Sequence, residues 1–185
     1  FRATQKFESN CTVTNDSKVI AKADKLILPG QGSFFFGMKQ INELGIRDVL
    51  IEKIKIEKKP TLGICLGMHL LADYGYEIQK TKGLSLIKGE VKKMRVNLKL
   101  PHIGWNEVSI KKDLDLFKNI QNNKDFYFVH SYEFCCENSK DIAGLSKYEN
   151  NFNSVINFEN IFGVQFHPEK SLKTGLELIN NFTKI

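Results

Sequence analysis

Thr61-Leu62-Gly63-Ile64-Cys65-Leu66-Gly67-Met68 is the stretch on which the fold of this chain turns. Thr61 to Cys65 is a short apolar run of strand length, and Leu66 to Ala72 reads as a helix. Their junction, Gly63-Ile64-Cys65-Leu66-Gly67, has the pattern of a nucleophile elbow with cysteine at its apex. The turn is tight, so the flanking residues must be small, and glycine tolerates close approach and unusual torsions. That geometry lifts the sulfur out at the strand tip and sets it at a helix N-terminus. The helix dipole and free N–H groups there favour negative charge on the sulfur, and the N–H of Leu66 becomes a natural oxyanion donor. A buried structural cysteine in a Gly-flanked turn fits the same spacing, so the motif alone leaves both readings open.

Asp24-Lys25-Leu26-Ile27-Leu28 is a second short apolar run, stopped by Pro29-Gly30. It reads as a buried strand entering a turn. Between the two strands, from about Phe34 to Lys58, apolar residues recur at helical spacing, with Gly45 dividing two helices. Strand, helix, strand, helix in this order predicts a parallel sheet covered on both faces. The second half reads differently. Glu90 to Val96, Glu107 to Ile110, Phe126 to Tyr132 and Ile142 to Leu145 are strand-like. Val155–Phe158 and Ile161–Phe166 flank Glu159-Asn160 as a hairpin, and Ser171 to Phe182 closes the chain as a helix. The expectation is an α/β fold: a three-layer, mixed but mostly parallel sheet with helices on both faces. A length of 185 residues fits one domain and one core.

Near the C-terminus, Phe162-Gly163-Val164-Gln165-Phe166-His167-Pro168-Glu169 reads as a strand running into a proline stop. Residues two apart in extended chain point the same way, which puts His167 and Glu169 on one face. A carboxylate beside a histidine fixes its tautomer and stabilises the imidazolium, as a nucleophile–base–orienter triad requires. A surface histidine beside a surface glutamate is a common accident, but less so in a chain that also has a cysteine elbow. The loop Leu28-Pro29-Gly30-Gln31-Gly32-Ser33-Phe34 could present backbone N–H groups to an oxyanion. On spacing alone an ordinary turn is the favoured reading.

The bulk properties exclude several classes. A hydrophobic share of 42% and a charged share of 26% rule out a disordered or fibrous chain. The four cysteines form no metal-type pair, and adjacent Cys135-Cys136 makes a poor disulfide framework. A reducing compartment follows, with the cytoplasm as the default. The longest mostly apolar stretch falls short of the ~20 residues that span a bilayer, and no signal peptide is visible at Phe1. The net charge of +6 is spread over scattered lysines rather than a basic stripe with interleaved aromatics, so nucleic acid is not an expected partner. His102 and His130, each near a strand end, read as satisfied structural residues without metal-ligand company.

Taken together, Leu28-Pro29-Gly30-x-Gly32, Gly63-Ile64-Cys65-Leu66-Gly67-Met68 and Gly163-Val164-Gln165-Phe166-His167-Pro168-Glu169 resemble the three motifs of triad-type (class I) glutamine amidotransferases. Pro101-His102-Ile103-Gly104-Trp105-Asn106 and Phe126-Tyr127-Phe128-Val129-His130-Ser131-Tyr132 resemble the glutaminase subunits of imidazole glycerol phosphate synthases. The resemblance implies that Cys65 attacks the glutamine side-chain amide to form a thioester, that His167 shuttles protons, and that Glu169 orients His167. It implies an oxyanion strand at Gly30, Gln31 and Gly32 with Leu66 as a further donor. Ser131 and Tyr132 would hold the glutamine α-amino and carboxylate groups. Trp105, Asn106, Tyr127 and Lys170 would lie toward a partner, a (β/α)8-barrel cyclase subunit that receives the ammonia in histidine biosynthesis. No cofactor and no metal is implied.

Two departures stand out. The family's usual substrate-holding glutamine, four residues after the nucleophile, is His69 here. A neutral histidine offers one donor and one acceptor on different ring atoms, not both at one amide end. Phe1 to Ser9 resembles the family's first helix, so the family's first strand is expected to lie outside this sequence. Residues 1–185 then make a single amidotransferase domain without that strand. The alternatives are a paralogous amidotransferase feeding another synthase, such as one amidinating a surface sugar, a freestanding cysteine hydrolase, and a non-catalytic module.

Overall fold

The computed structural model describes residues 2–7 and 10–185. Along the chain run α1 (Ser17–Ile20), β1 (Leu26–Leu28), α2 (Phe34–Glu43) and α3 (Arg47–Ile51), which continues as a π-helical turn, Glu52–Ile56. Then come β2 (Thr61–Ile64), α4 (Leu66–Leu70), β3 (Tyr74–Gly75), β4 (Thr81–Lys82) and β5 (Gly89–Lys93). The remainder is β6 (His102–Ile110), β7 (Lys124–His130), β8 (Tyr132–Cys136), β9 (Ile142–Tyr148), β10 (Asn150–Phe158), β11 (Ile161–Val164) and α5 (Leu172–Lys184).

Seven strands form the main sheet in the order β1-β2-β11-β10-β9-β6-β7. β1 with β2 and β2 with β11 are parallel, with Leu28 opposite Gly63 and Val164 opposite Ile64. The other four pairings are antiparallel. The sheet is mixed as expected, but the mostly parallel character is corrected to a smaller parallel part. The reason is local: β9–β10 and β10–β11 are joined by connections of one or two residues, and only antiparallel neighbours can be joined so tightly. Glu159-Asn160 forms the expected hairpin, with Phe158 paired to Ile161. A second sheet, β4-β3-β5-β8, stands beside the first.

Alternation along the strands splits the core across the two faces of the sheet. Ile161 packs with Phe34, Met38, Leu50 and Met68 from α2, α3 and α4. Phe162 and Val164, together with Leu62 and Ile64, pack with Leu178 and Phe182 of α5 and with Phe126, Phe128 and Phe166. Each such side chain, taken fully out of water, contributes about 1.5–3 kcal/mol. Helices therefore cover both faces, which holds the parallel strand tips rigid where the chain turns toward Cys65. No helix among the described residues is long and apolar enough to cross a membrane.

Among the boundaries that differ from expectation, three stand out. The strand expected over Phe126–Tyr132 is two strands in different sheets, with the chain crossing over at Ser131. The Pro101–Asn106 stretch is largely strand, the start of the nine-residue β6. The expected N-terminal helix is a single 3-10 turn at Thr4–Phe7; Phe1, Glu8 and Ser9 of that expectation lie outside the described residues.

Candidate active site

Cys65 sits between β2 and α4 with φ 51° and ψ −109°. A side chain pays for that left-handed backbone in strain, of order 1–3 kcal/mol, and such strain gathers at functional sites. Two glycines make the turn possible. A Cβ on Gly67 would lie 1.7 Å from the Leu28 carbonyl oxygen, and one on Gly63 would lie 2.7 Å from the carbonyl oxygen of Gly67. The helix must start that close to β1 for the cysteine to project from the strand tip.

β11 lies beside β2 in parallel register, so the residues following each strand emerge together. The Cys65 N–H donates to Val164 O at 2.8 Å, stitching the two tips. His167 follows on the β11 side, 2% exposed, with its N–H donating to Tyr127 O and its carbonyl accepting from Ser171 Oγ. Its Nδ1 meets Glu169 Oε1 at 2.8 Å, while Nε2 is buried and makes no hydrogen bond among the described residues. Burial alone would depress the His167 pKa. The Cys65 sulfur and the Glu169 carboxylate outweigh it and raise the pKa to about 9. The imidazole is therefore charged at neutral pH and turns its Nε2–H toward the Cys65 sulfur. For Glu169, burial pushes upward, but the His167 hydrogen bond, its own backbone N–H and the charges of His167 and Lys170 win, so its pKa is lowered.

The Gly30-Gln31-Gly32 loop packs against the same turn: a Cβ on Gly30 would touch Leu66 Cβ at 3.0 Å. Gly32 carries φ +100° in open space. Directly after the loop, the Phe34 N–H donates to Glu77 Oε2 at 2.8 Å. Burial, then the charge of nearby Glu77, raises the Tyr132 pKa. Nothing in the sequence around Glu77 singled it out, because its significance is purely tertiary.

His69 is 5% exposed, and its Nε2 lies 2.7 Å from Gln165 Oε1. Gln165, wholly buried, points its Nε2 toward Cys65 Sγ at 3.8 Å. Burial lowers the His69 pKa to about 4, against the opposing pull of Gln165. A neutral imidazole can donate Nε2–H to the amide oxygen and so turn the amide NH2 toward the sulfur. Gln165 was visible in the motif as a residue but not as a contact of the nucleophile.

Of the four residues expected toward a partner, three share a face. The Trp105 and Tyr127 rings lie 5.9 Å apart, and Lys170 Nζ stands 5.8 Å from the Tyr127 ring centre. Trp105 is 49% exposed and Ile103, two residues earlier on the same strand face, 59%. Asn106 points to the other face of β6, donating to Lys147 O at 2.9 Å.

The family model for class-I glutamine amidotransferases matches residues 3–185. An imidazole glycerol phosphate synthase subunit, HisH 2 of Methanococcus maripaludis, is 49% identical over 174 residues, covering 93% of this chain and 86% of the relative. The corresponding HisH subunit of Pelagibacter ubique is 44% identical, covering 100% and 91%. That of Pyrococcus furiosus is 48% identical, covering 94% and 88%. Among solved structures, a glutamine amidotransferase superposes with TM-score 0.76 at 16% identity, covering 99% of this chain and 89% of the other. Another glutamine amidotransferase, from Thermotoga maritima, gives TM-score 0.60 at 21% identity, covering 88% and 64%. These structural likenesses speak to the fold.

Proposed function

This chain belongs to the class-I glutamine amidotransferases, and from that premise we propose that it is the glutaminase subunit of an imidazole glycerol phosphate synthase in histidine biosynthesis. Its likeness to HisH subunits of three organisms over nearly the whole chain supports the assignment. Residues 1–185 act as one amidotransferase domain that hydrolyses glutamine to glutamate and ammonia. The ammonia passes to a (β/α)8-barrel cyclase partner. Cytoplasmic conditions suit a reduced nucleophilic thiol.

The observation that carries the mechanism is the geometry of His167, held by Glu169 at Nδ1 and with Nε2 turned to the strained Cys65, an arrangement that favours the charged imidazole. The Cys65 sulfur, its proton already passed to His167 Nε2, attacks the carboxamide carbon of glutamine. Charge develops on the amide oxygen, where the N–H of Leu66 and the Gly30-Gln31-Gly32 strand can donate; one such donor is worth ~2.7–4 kcal/mol. His167 gives its Nε2 proton to the departing nitrogen, and ammonia leaves a glutamyl thioester. Neutral His167 then takes a proton from water, whose oxygen attacks the thioester and frees glutamate, restoring the starting state. Ser131 and Tyr132 hold the α-amino and carboxylate ends of the substrate, and His69 borders the amide end. Trp105, Tyr127 and Lys170 form the exposed face toward the cyclase, with Asn106 behind them; exposed aromatics with an adjacent cation suit an interface.

Glutamate release tests the reading, measured for the chain alone and then with cyclase and its nucleotide ligand. Turnover in the complex is expected, with a weaker rate for the chain alone. No glutamate in either condition would overturn the assignment.

A further inference from the structure

His102 opens β6 and His130 ends β7, directly opposite one another in register, 4% and 6% exposed. Three contacts run through them in series. His130 Nδ1 lies 2.9 Å from Tyr132 O, His102 Nδ1 lies 3.1 Å from His130 Nε2, and Asn106 Nδ2 lies 3.4 Å from His102 Nε2. The proton positions follow from the chemistry of each partner. A carbonyl oxygen can only accept, so His130 Nδ1 carries the hydrogen. Burial, reinforced by the neighbouring His102, His69 and His167, lowers the His130 pKa to about 3. His130 is therefore neutral and its Nε2 is an acceptor, which requires a hydrogen on His102 Nδ1. Burial also lowers the His102 pKa. Its Nε2 then accepts from Asn106, whose amide nitrogen also donates to Lys147 O. All the donors point one way, and the series ends on the Tyr132 carbonyl.

That carbonyl sits where the chain leaves the main sheet for the small one, at Ser131. The turn is held on its other side by the Met94 N–H, which donates to Ser131 O at 3.0 Å. Immediately upstream, Val129 O lies 4.0 Å from Cys65 Sγ. One end of the series thus shapes the wall expected to receive glutamine, and the other lies next to Trp105 on β6.

We propose that His102 and His130 are positioning residues for the glutaminase reaction, fixing the Ser131–Tyr132 turn in its substrate-receiving shape and tying it to the Asn106 end of β6. This rests on the glutaminase reading above. Simple filling of space is the competing account, since His102 also stacks on Tyr148 at 4.1 Å and on Phe128 at 5.2 Å. Filling predicts that bulk suffices; positioning predicts that the hydrogen-bond chemistry decides.

The test compares His130→Leu, which keeps bulk and loses both hydrogen bonds, with His130→Asn, whose amide nitrogen can stand in for Nδ1. In the complex with cyclase, His130→Leu is expected to raise KM for glutamine about tenfold or more. The change in kcat should be smaller, synthesis from ammonium salts unaltered, and most of the loss recovered in His130→Asn. Imidazole nitrogen shifts of the unmodified full chain at neutral pH give a second readout that needs no variant to fold. Both rings are expected as neutral Nδ1–H tautomers. A KM within twofold of the parent in His130→Leu, equal impairment in the two variants, or an Nε2–H or charged ring would overturn the proposal. An unmodified complex that turns over no glutamine would instead overturn the glutaminase reading, whatever the tautomers.

Discussion

At His167 burial and charge oppose one another, and charge wins. With the pKa raised to about 9 by the Cys65 sulfur and Glu169, the proton needed by departing ammonia is present at neutral pH and lost only as pH rises through that value. The prediction is that kcat/KM for glutamine holds through neutral pH and falls about tenfold per unit above roughly pH 9. Glu169→Gln should move that limb toward lower pH. A limb near pH 6.5 in the parent would contradict the ion-pair picture. His69 poses a narrower question. Its Nε2 contact with Gln165 is one that a glutamine side chain can also make, since an amide offers a donor as well. His69→Gln is expected to keep the glutamine KM within about threefold or lower it. A clear rise in KM would mean the pocket is built around imidazole. Cys65, His167 and Glu169 were legible because each belongs to a local pattern, a turn or a strand end. The Gln165–His69 pair and Glu77 were not, because their contacts join residues distant in sequence, and no periodicity encodes those.

The elbow and the Gly30–Gly32 loop packed against it are the elements on which the site depends, and their two kinds of glycine can be told apart. Gly67 is glycine for space: any Cβ would collide with the Leu28 carbonyl. Gly32 is glycine for conformation, with φ +100° and nothing within 4 Å of a built Cβ. Gly67→Ala should therefore destabilise the fold by about 3 kcal/mol or more, since β1 and α4 must separate. Gly32→Ala should cost only about 1 kcal/mol, with its larger effect on turnover through the oxyanion loop. Urea midpoints and kcat measured on both variants check this; equal loss of stability would refute it. The β2–α4 turn, the Glu159-Asn160 hairpin and the C-terminal helix could be read from sequence because glycines, a two-residue turn and apolar spacing specify them locally. The break between β7 and β8 could not, because Phe126 to Cys136 is uninterrupted by proline or glycine. There the crossing depends on partners, with β7 pairing to β6 and β8 to β5.

Across the whole molecule the two sheets and the two cores converge on one edge, where the tips of β2 and β11, the Gly30–Gly32 loop and the Ser131 turn surround Cys65. Exposed Trp105 and Lys170 flank the half-buried Tyr127, and Tyr127 O accepts from the His167 N–H. A partner on that face would touch the residue that positions the proton shuttle. On the proposed function, labour is divided between chains: this one releases ammonia from glutamine, and the cyclase uses ammonia from any source. The most direct test is Cys65→Ala in the assembled complex, with synthesis of imidazole glycerol phosphate measured from glutamine and separately from ammonium salts. Glutamine-dependent synthesis should vanish while ammonium-dependent synthesis stays at the parent rate. Survival of the glutamine-dependent reaction, or loss of the ammonium-dependent one in a complex that still assembles, would contradict the account.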